Sequence, residues 1–146
     1  MLTLTVTGKP IAQARPRFVR RGKFVSTYNP QETEAGKFAL SVMAQLPEGF
    51  KPFNGPLAMS CLFCLPIPKS SEKKRRAMLA GEILHTKRPD CSNYLKFIED
   101  CMNGVVWLDD SQIVQISAEK CYAEIPRTVI VIKELSNNQN GGPPNG

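Results

Sequence analysis

The stretch Ser92–Gly104, SNYLKFIEDCMNG, decides how the rest of the chain is read. Stepped at about 100° per residue, Tyr94, Leu95, Phe97, Ile98, Cys101 and Met102 fall on one arc, and Asn93, Lys96, Glu99 and Asp100 on the other. A helix divided in this way lays its apolar arc on a sheet and turns a polar strip outward, here Asn93, Lys96 and Asp100. Ser92 is placed to cap its start, and Gly104 to stop it.

Strand patterns lie on both sides of this helix. Residues 57–65, LAMSCLFCL, are almost continuously apolar and predict a central strand covered on both faces. Residues 113–124 and 127–135 predict two strands joined by a turn at Ile125-Pro126, and the alternating residues 2–8, LTLTVTG, a further one. A basic segment follows over 9–28, with Arg20-Arg21-Gly22-Lys23 as a turn or hairpin tip. Asn29 as cap and Pro30 as first helical residue predict a helix running to about Leu46, before Pro47. Ser70 or Ser71 caps a short basic helix, EKKRRAMLAG, closed by Gly81. Residues 82–92 read as irregular. Strands and helices alternate without a repeat, which predicts an α/β or α+β fold: one mixed sheet with about three helices packed on it. The domain is expected over 1–135, and the tail 136–146, SNNQNGGPPNG, has nothing to bury and is expected to be disordered.

A chain of 146 residues fits one core. With 42% hydrophobic and 22% charged residues it has the composition of a soluble globular protein, and no apolar run is long enough to cross a bilayer. The start, MLTLTVTGKP, alternates instead of carrying the long apolar stretch of a secretory signal, so a cytoplasmic location is expected. The cysteines agree. Cys61, Cys64, Cys91, Cys101 and Cys121 are odd in number, and Cys61 and Cys64 point to opposite faces of a strand. Neither a second CxxC nor a histidine pair completes a zinc site, so buried, reduced thiols are expected.

The charge of +6 is unevenly spread. Lys9, Arg15, Arg17, Arg20, Arg21, Lys23 and Lys37 face two acids over residues 9–37, and Lys69, Lys73, Lys74, Arg75, Arg76, Lys87 and Arg88 face two more over 69–88. Glu99, Asp100, Asp109 and Asp110 then come with no base between them. Two basic blocks point to a polyanion such as nucleic acid, or else to a plain solvated surface. Carboxylates in a phosphate-binding protein repel the backbone unless a divalent ion intervenes, and hard oxygen ligands suit Mg²⁺. If the helix and the following strand are neighbours, Asp90, Asp100, Asp109 and Asp110 come together, with Lys96 beside them to stabilise charge on a reacting phosphate. The same residues also fit a surface ion pair, Lys96–Asp100 at i,i+4, and a simple turn at Asp109-Asp110-Ser111. Trp107, between Val106 and Leu108, reads as core, with stacking on a nucleic-acid base as the alternative. His85, the single histidine, could orient a phosphate and is given no catalytic role.

Residues 88–96, RPDCSNYLK, followed by 99–114, EDCMNGVVWLDDSQIV, resemble the signature of the RusA family of Holliday junction resolvases. That signature runs Pro-Asp-x-Asp-Asn-Leu-x-Lys, then a helix ending in an Asp-Ala-Leu-Asn-Gly-like sequence, then an aromatic residue and Asp-Asp-x-Gln-Val. Gly8-Lys9-Pro10 with Arg15-Pro16-Arg17, and the late Lys120, also match, so the resemblance spans most of residues 5–135. It implies a RusA-like nuclease domain and a homodimer that nicks two opposing strands of a four-way DNA junction, of bacterial, phage or prophage origin. It implies Asp90, Lys96 and Asp110 as catalytic residues. It implies Mg²⁺, with Mn²⁺ as a possible substitute, on Asp90 and Asp110 with Asp100 and Asp109 as further acids. Arg15, Arg17, Lys73, Lys74, Arg75, Arg76, Lys87, Arg88 and Lys120 are the expected DNA contacts. One departure stands out: Ser92 occupies the place of the motif's second aspartate. Either other acids take over and cleavage survives, or Ser92 holds a metal-bound water, or the protein binds junctions and cuts poorly.

Overall fold

A computed structural model of the chain describes residues 1–14, 17–21, 24–28 and 32–137, with side chains described for 1–14 and from residue 33 onward. The elements are β1 (Leu2–Thr7), β2 (Arg17–Arg21), β3 (Phe24–Tyr28), α1 (Glu32–Gln45), β4 (Leu57–Pro66), α2 (Glu72–Leu79), α3 (Cys91–Met102), one 3-10 turn (Asp110–Gln112), β5 (Ile113–Ala123) and β6 (Arg127–Glu134). The predicted start of α1 at Asn29-Pro30 and residues 138–146 of the predicted tail lie outside the described residues. β2 and β3 pair antiparallel on either side of the predicted tip. The other four strands form one mixed sheet in the order β1-β6-β4-β5, with β4 and β5 parallel and the remaining pairs antiparallel. This is the expected α+β arrangement, a mixed sheet carrying three helices. Among the described residues, no helix is long and apolar enough to cross a membrane.

The apolar arc of α3 is buried as its pattern requires: Tyr94, Phe97, Ile98, Cys101 and Met102 all enter the core. They meet alternate residues of β4, Leu57, Met59, Cys61, Phe63 and Leu65, together with Leu4, Ile130 and Ile132 of the flanking strands. Phe38 of α1 meets Phe97 edge-on with ring centroids 5.4 Å apart, and Phe63 stacks on Tyr94 at 4.9 Å. Truncating such a buried ring to alanine costs about 3–5 kcal/mol, so these contacts lock α3 in place on the sheet.

One expectation needs correction. β4 is an inner strand, but it is not covered on both faces. Ser60 is exposed, and its hydroxyl accepts a hydrogen bond from Ser117 of β5 at 2.9 Å. The reason is a shortage of cover: α1 and α3 both join the core, whereas α2, with its four consecutive basic residues, buries nothing. The two strands joined through Ile125-Pro126 are present as expected, β5 and β6, and β4 lies between them in the sheet. The cysteines follow the expectation in part: all five are free, and Cys61, Cys64 and Cys101 are buried, with Cys64 on the opposite face from Cys61 and 3.6 Å from the thiol of Cys121, whereas Cys91 and Cys121 are only partly buried.

At the β1 edge a side chain stands in for a strand. The Gln45 amide, at the end of α1, accepts from the Thr5 N–H at 2.9 Å and donates to the Thr5 carbonyl at 2.8 Å.

Candidate functional site

The cap of α3 is Asp90 and not Ser92, which occupies the second helical position. Asp90 has the extended backbone of a cap residue (φ −74°, ψ 155°), so the helix begins two residues earlier than the pattern implied. Its carbonyl accepts from the N–H groups of Asn93 and Tyr94, while its side chain makes no capping hydrogen bond and stays exposed. Among the described residues the carboxylate makes no ion pair. The segment after β1 is fastened beside it, because the Gln13 N–H donates to the Asn93 carbonyl at 3.0 Å. An open polar cleft of about 510 Å³ results, lined by Ala12, Gln13, Arg88, Pro89, Asp90 and Asn93. Lys96, further along α3, is exposed. Among the described residues it forms no ion pair, so the plain Lys96–Asp100 surface pair is not made.

Asp110 is held from the other side. Gly104 ends the helix region with φ +81°, a conformation that suits glycine, and its N–H donates to the Trp107 carbonyl at 2.7 Å. The chain thus turns tightly and drives Trp107 fully into the core, which removes it as a stacking surface for DNA. The Trp107 indole N–H donates to Asp110 Oδ1 at 2.7 Å, fixing that carboxylate at the mouth of the core. Gln112 secures the loop. Its Nε2 donates to the carbonyls of Phe53 and Gly55, both at 2.9 Å, and its Oε1 accepts from the N–H groups of Leu108 at 2.9 Å and Asp109 at 2.8 Å. Asp109 serves the loop itself, capping the 3-10 turn and accepting from both the N–H and the hydroxyl of Ser111. Those hydrogen bonds hold the Asp109 carboxyl below its ordinary range.

The carboxylate that shares a field with Asp110 is Glu99. Burial raises its carboxyl above the ordinary glutamate range, and the negative charges of Asp110 and Asp100 raise it further. The helical pattern placed Glu99 on the polar arc but gave it no role. Its position at the border of the apolar arc, three residues after Lys96, was the available signal. Among the described residues, no three Asp, Glu, His or Cys groups stand close enough to enclose a metal ion. The donor chemistry fits an open site instead. Mg²⁺ commonly uses one or two carboxylates and completes its shell with water and substrate phosphate. Asp90 and Asp110 each offer hard oxygen, but from opposite ends of α3, a 12-residue helix spanning about 18 Å, so the expected gathering of Asp90 with Asp100, Asp109 and Asp110 is not made among the described residues.

The basic residues divide. Lys120 reaches across from β5, and its ammonium donates to the carbonyls of Lys87 at 2.8 Å and Pro89 at 3.1 Å. It therefore holds the segment that leads into Asp90. Arg75 pairs with Glu124 at 3.1 Å and Arg76 with Glu72 at 3.3 Å, whereas Lys73 and Lys74 form no ion pair among the described residues. Lys87 and Arg88 are exposed just before Asp90. Arg15 lies outside the described residues, and Arg17 is described only as a backbone position of β2. The His85 ring lies tilted against Tyr122 with centroids 4.9 Å apart, and among the described residues its Nδ1 is buried without a hydrogen-bond partner. Burial, with Lys120 and Lys87 nearby, lowers its basicity.

Against known proteins, residues 7–133 match the family model of the endodeoxyribonuclease RusA. The chain is also 34% identical over 139 residues to the uncharacterized protein YqaN of Bacillus subtilis strain 168, a match covering 92% of this chain and 97% of that protein. The family match takes in all three helices, the Asp110 loop, β4, β5 and all of β6 but Glu134. The chain belongs to the RusA endodeoxyribonuclease family.

Proposed function

We propose that this protein is a divalent-metal-dependent endonuclease that resolves four-way DNA junctions, acting as a homodimer that places one nick in each of two opposing strands. The family supports nuclease action on Holliday junctions in recombination and repair. The observation that carries the finer reading is the exposed Asp90 carboxylate at the head of α3, with Lys96 further along the helix, neither in an ion pair among the described residues, and Asp110 anchored by Trp107.

In this reading Asp90 and Asp110 each offer a ligand to an ion, from opposite ends of α3, with Asp100 and Asp109 as outlying acids. Bound Mg²⁺, or Mn²⁺ in its place, supplies an acidified water and positive charge for the phosphate. Lys96 stabilises the charge that builds on the non-bridging oxygens during in-line attack. Arg88 and Lys87 neutralise the phosphates next to the scissile one, and Lys73 and Lys74 extend the track outward. Lys120 acts through the backbone by keeping Lys87–Pro89 in place. Glu99 keeps the ground behind Asp110 negative, which favours a cation there. Ser92 sits on the exposed side of the first turn, where its hydroxyl can accept from or donate to a water of the ion's shell.

The test is cleavage of a labelled four-way junction with and without Mg²⁺, beside Asp110→Asn. Asn keeps an acceptor for the Trp107 indole, so the variant should fold like the parent. Paired nicks that require the ion and vanish in the variant are the expected result. Tight junction binding without nicks, even in Mn²⁺, would sink the cleavage reading and leave junction binding alone, with Ser92 as the cause.

A further inference from the structure

Beside the Asp90 cleft lies a second cavity, of about 640 Å³, between the end of β1, the segment after it and α1. The two share Ala12 and Pro89 as lining, so they are contiguous. Their chemistry differs. The Asp90 cleft is polar, whereas Pro10, Ile11, Phe38 and Tyr94 give the second cavity an apolar wall. Lys9 and Lys37, both exposed, stand at its rim against one acid, Glu34, and none of the three forms an ion pair among the described residues. Cavities of about 300–1,000 Å³ with apolar walls and a few polar groups take flat organic ligands. A positively charged rim opening next to a phosphate-handling cleft narrows the class to a nucleotide.

We propose that this cavity receives one unstacked nucleobase from the nucleotide adjoining the phosphate at Asp90, and so biases which phosphate is cut. The proposal rests on the nuclease reading and adds a specificity site to it. The base leaves its stack at the branch point, where stacking is already interrupted and extrusion is least costly. Its ring packs against Pro10, Ile11 and Phe38, and Lys9 and Lys37 hold the flanking phosphates. Beyond the charged rim, the described side chains with polar groups lining this space are Thr7, Ser41 and Tyr94. Three hydroxyls read a base edge poorly, since discrimination by hydrogen bonding needs matched donor and acceptor pairs. Selection by shape follows, giving a graded preference of roughly tenfold between best and worst bases, and not an absolute requirement.

The test uses 2-aminopurine placed in turn at each nucleotide next to the mapped nick of a four-way junction. Nick positions are mapped in parallel on junctions randomised at the same nucleotides, with the wild type, Ser41→Phe and Lys37→Ala. Ser41→Phe fills the cavity without changing charge, and its melting temperature reports whether the fold survives. The wild type should brighten the probe several-fold at one position and show the graded base preference. Ser41→Phe should bind and nick the junction yet lose both signals, and Lys37→Ala should need more protein to reach the same brightening. No brightening at any flanking nucleotide in the wild type overturns the proposal, as does Ser41→Phe keeping both signals. If Ser41→Phe unfolds, Lys37→Ala decides by the same comparison. A gel shift on the junction separates the two ideas: if the wild type does not bind junctions, the nuclease reading fails. The cavity is then judged with a short single strand carrying 2-aminopurine, where brightening supports it and none overturns it.

Discussion

Replacing Gln112 by alanine tests whether the Asp110 loop is held by one side chain. The Gln112 amide donates twice, to Phe53 and Gly55, and accepts twice, from Leu108 and Asp109, so its hydrogen-bonding capacity is full. Each such bond contributes about 1 kcal/mol net, and a buried group left without its partner costs more than that. Gln112 is half-buried, so water recovers part of the loss, and about 2–3 kcal/mol remains. For a domain of this size that lowers the melting temperature by about 6–9 °C. Urea and thermal unfolding followed by circular dichroism measure it. Gln112→Glu refines the test. Its carboxylate still accepts from Leu108 and Asp109 but faces two carbonyls, so the folded state favours its protonated form and raises its pKa. The stability of that variant should be greatest below the ordinary glutamate range and fall as pH rises through the folded value. A drop of less than about 2 °C in Gln112→Ala would refute the reasoning, since it would place the loop's stability elsewhere. Cleavage assayed well below the melting point should fall by more than the folded fraction does, because Asp110 rides on the loop.

Lys120→Met should lower cleavage and leave the salt dependence of junction binding unchanged, because its ammonium holds the Lys87 and Pro89 carbonyls; a shallower salt slope would make it a phosphate contact instead. Lys73→Ala with Lys74→Ala should weaken binding to all DNA alike and reduce the slope of log affinity against log salt by about 1–2, read by fluorescence anisotropy over a salt series. Glu99 is held above its ordinary range by burial and by Asp110 and Asp100, so its contribution to stability is full at acid pH and is lost as pH rises through the folded value. Glu99→Gln should therefore melt higher than the parent at about pH 7–8 and lose that advantage near pH ~4; an equal difference at both pH values would count against the assignment.

Much of this was legible in the sequence because periodicity reports burial directly. The arc of Tyr94, Phe97, Ile98, Cys101 and Met102 is buried as drawn, since a 3.6-residue repeat leaves one way to face a sheet. The caps were read less well. Asp and Ser rank alike as caps, so side-chain preference does not choose between Asp90 and Ser92. The backbone chooses, where the extended Asp90 lets its carbonyl take the N–H groups of Asn93 and Tyr94. The cover over β4 was overestimated because a run of apolar residues looks alike whether one face or two are buried. The long-range ties were not legible at all. Gln112 to Phe53, Lys120 to Pro89 and Gln45 to Thr5 each join residues at least 31 positions apart, and their polar side chains carry no periodic signal. The same holds for Glu99, whose environment is set first by burial and then by Asp110 across a turn.

The amide of Gln45 has a consequence for assembly. By meeting both the N–H and the carbonyl of Thr5, it takes up the middle of the β1 edge, where an added strand would have to pair. At the other end, no strand among the described residues pairs with the outer side of β5, and Val114 and Ile116 near its start are exposed. A building block with two open ends makes a filament, and a block with one makes a pair. If copies of this chain join by strand addition, the twofold contact uses up the single open end, and growth stops at two.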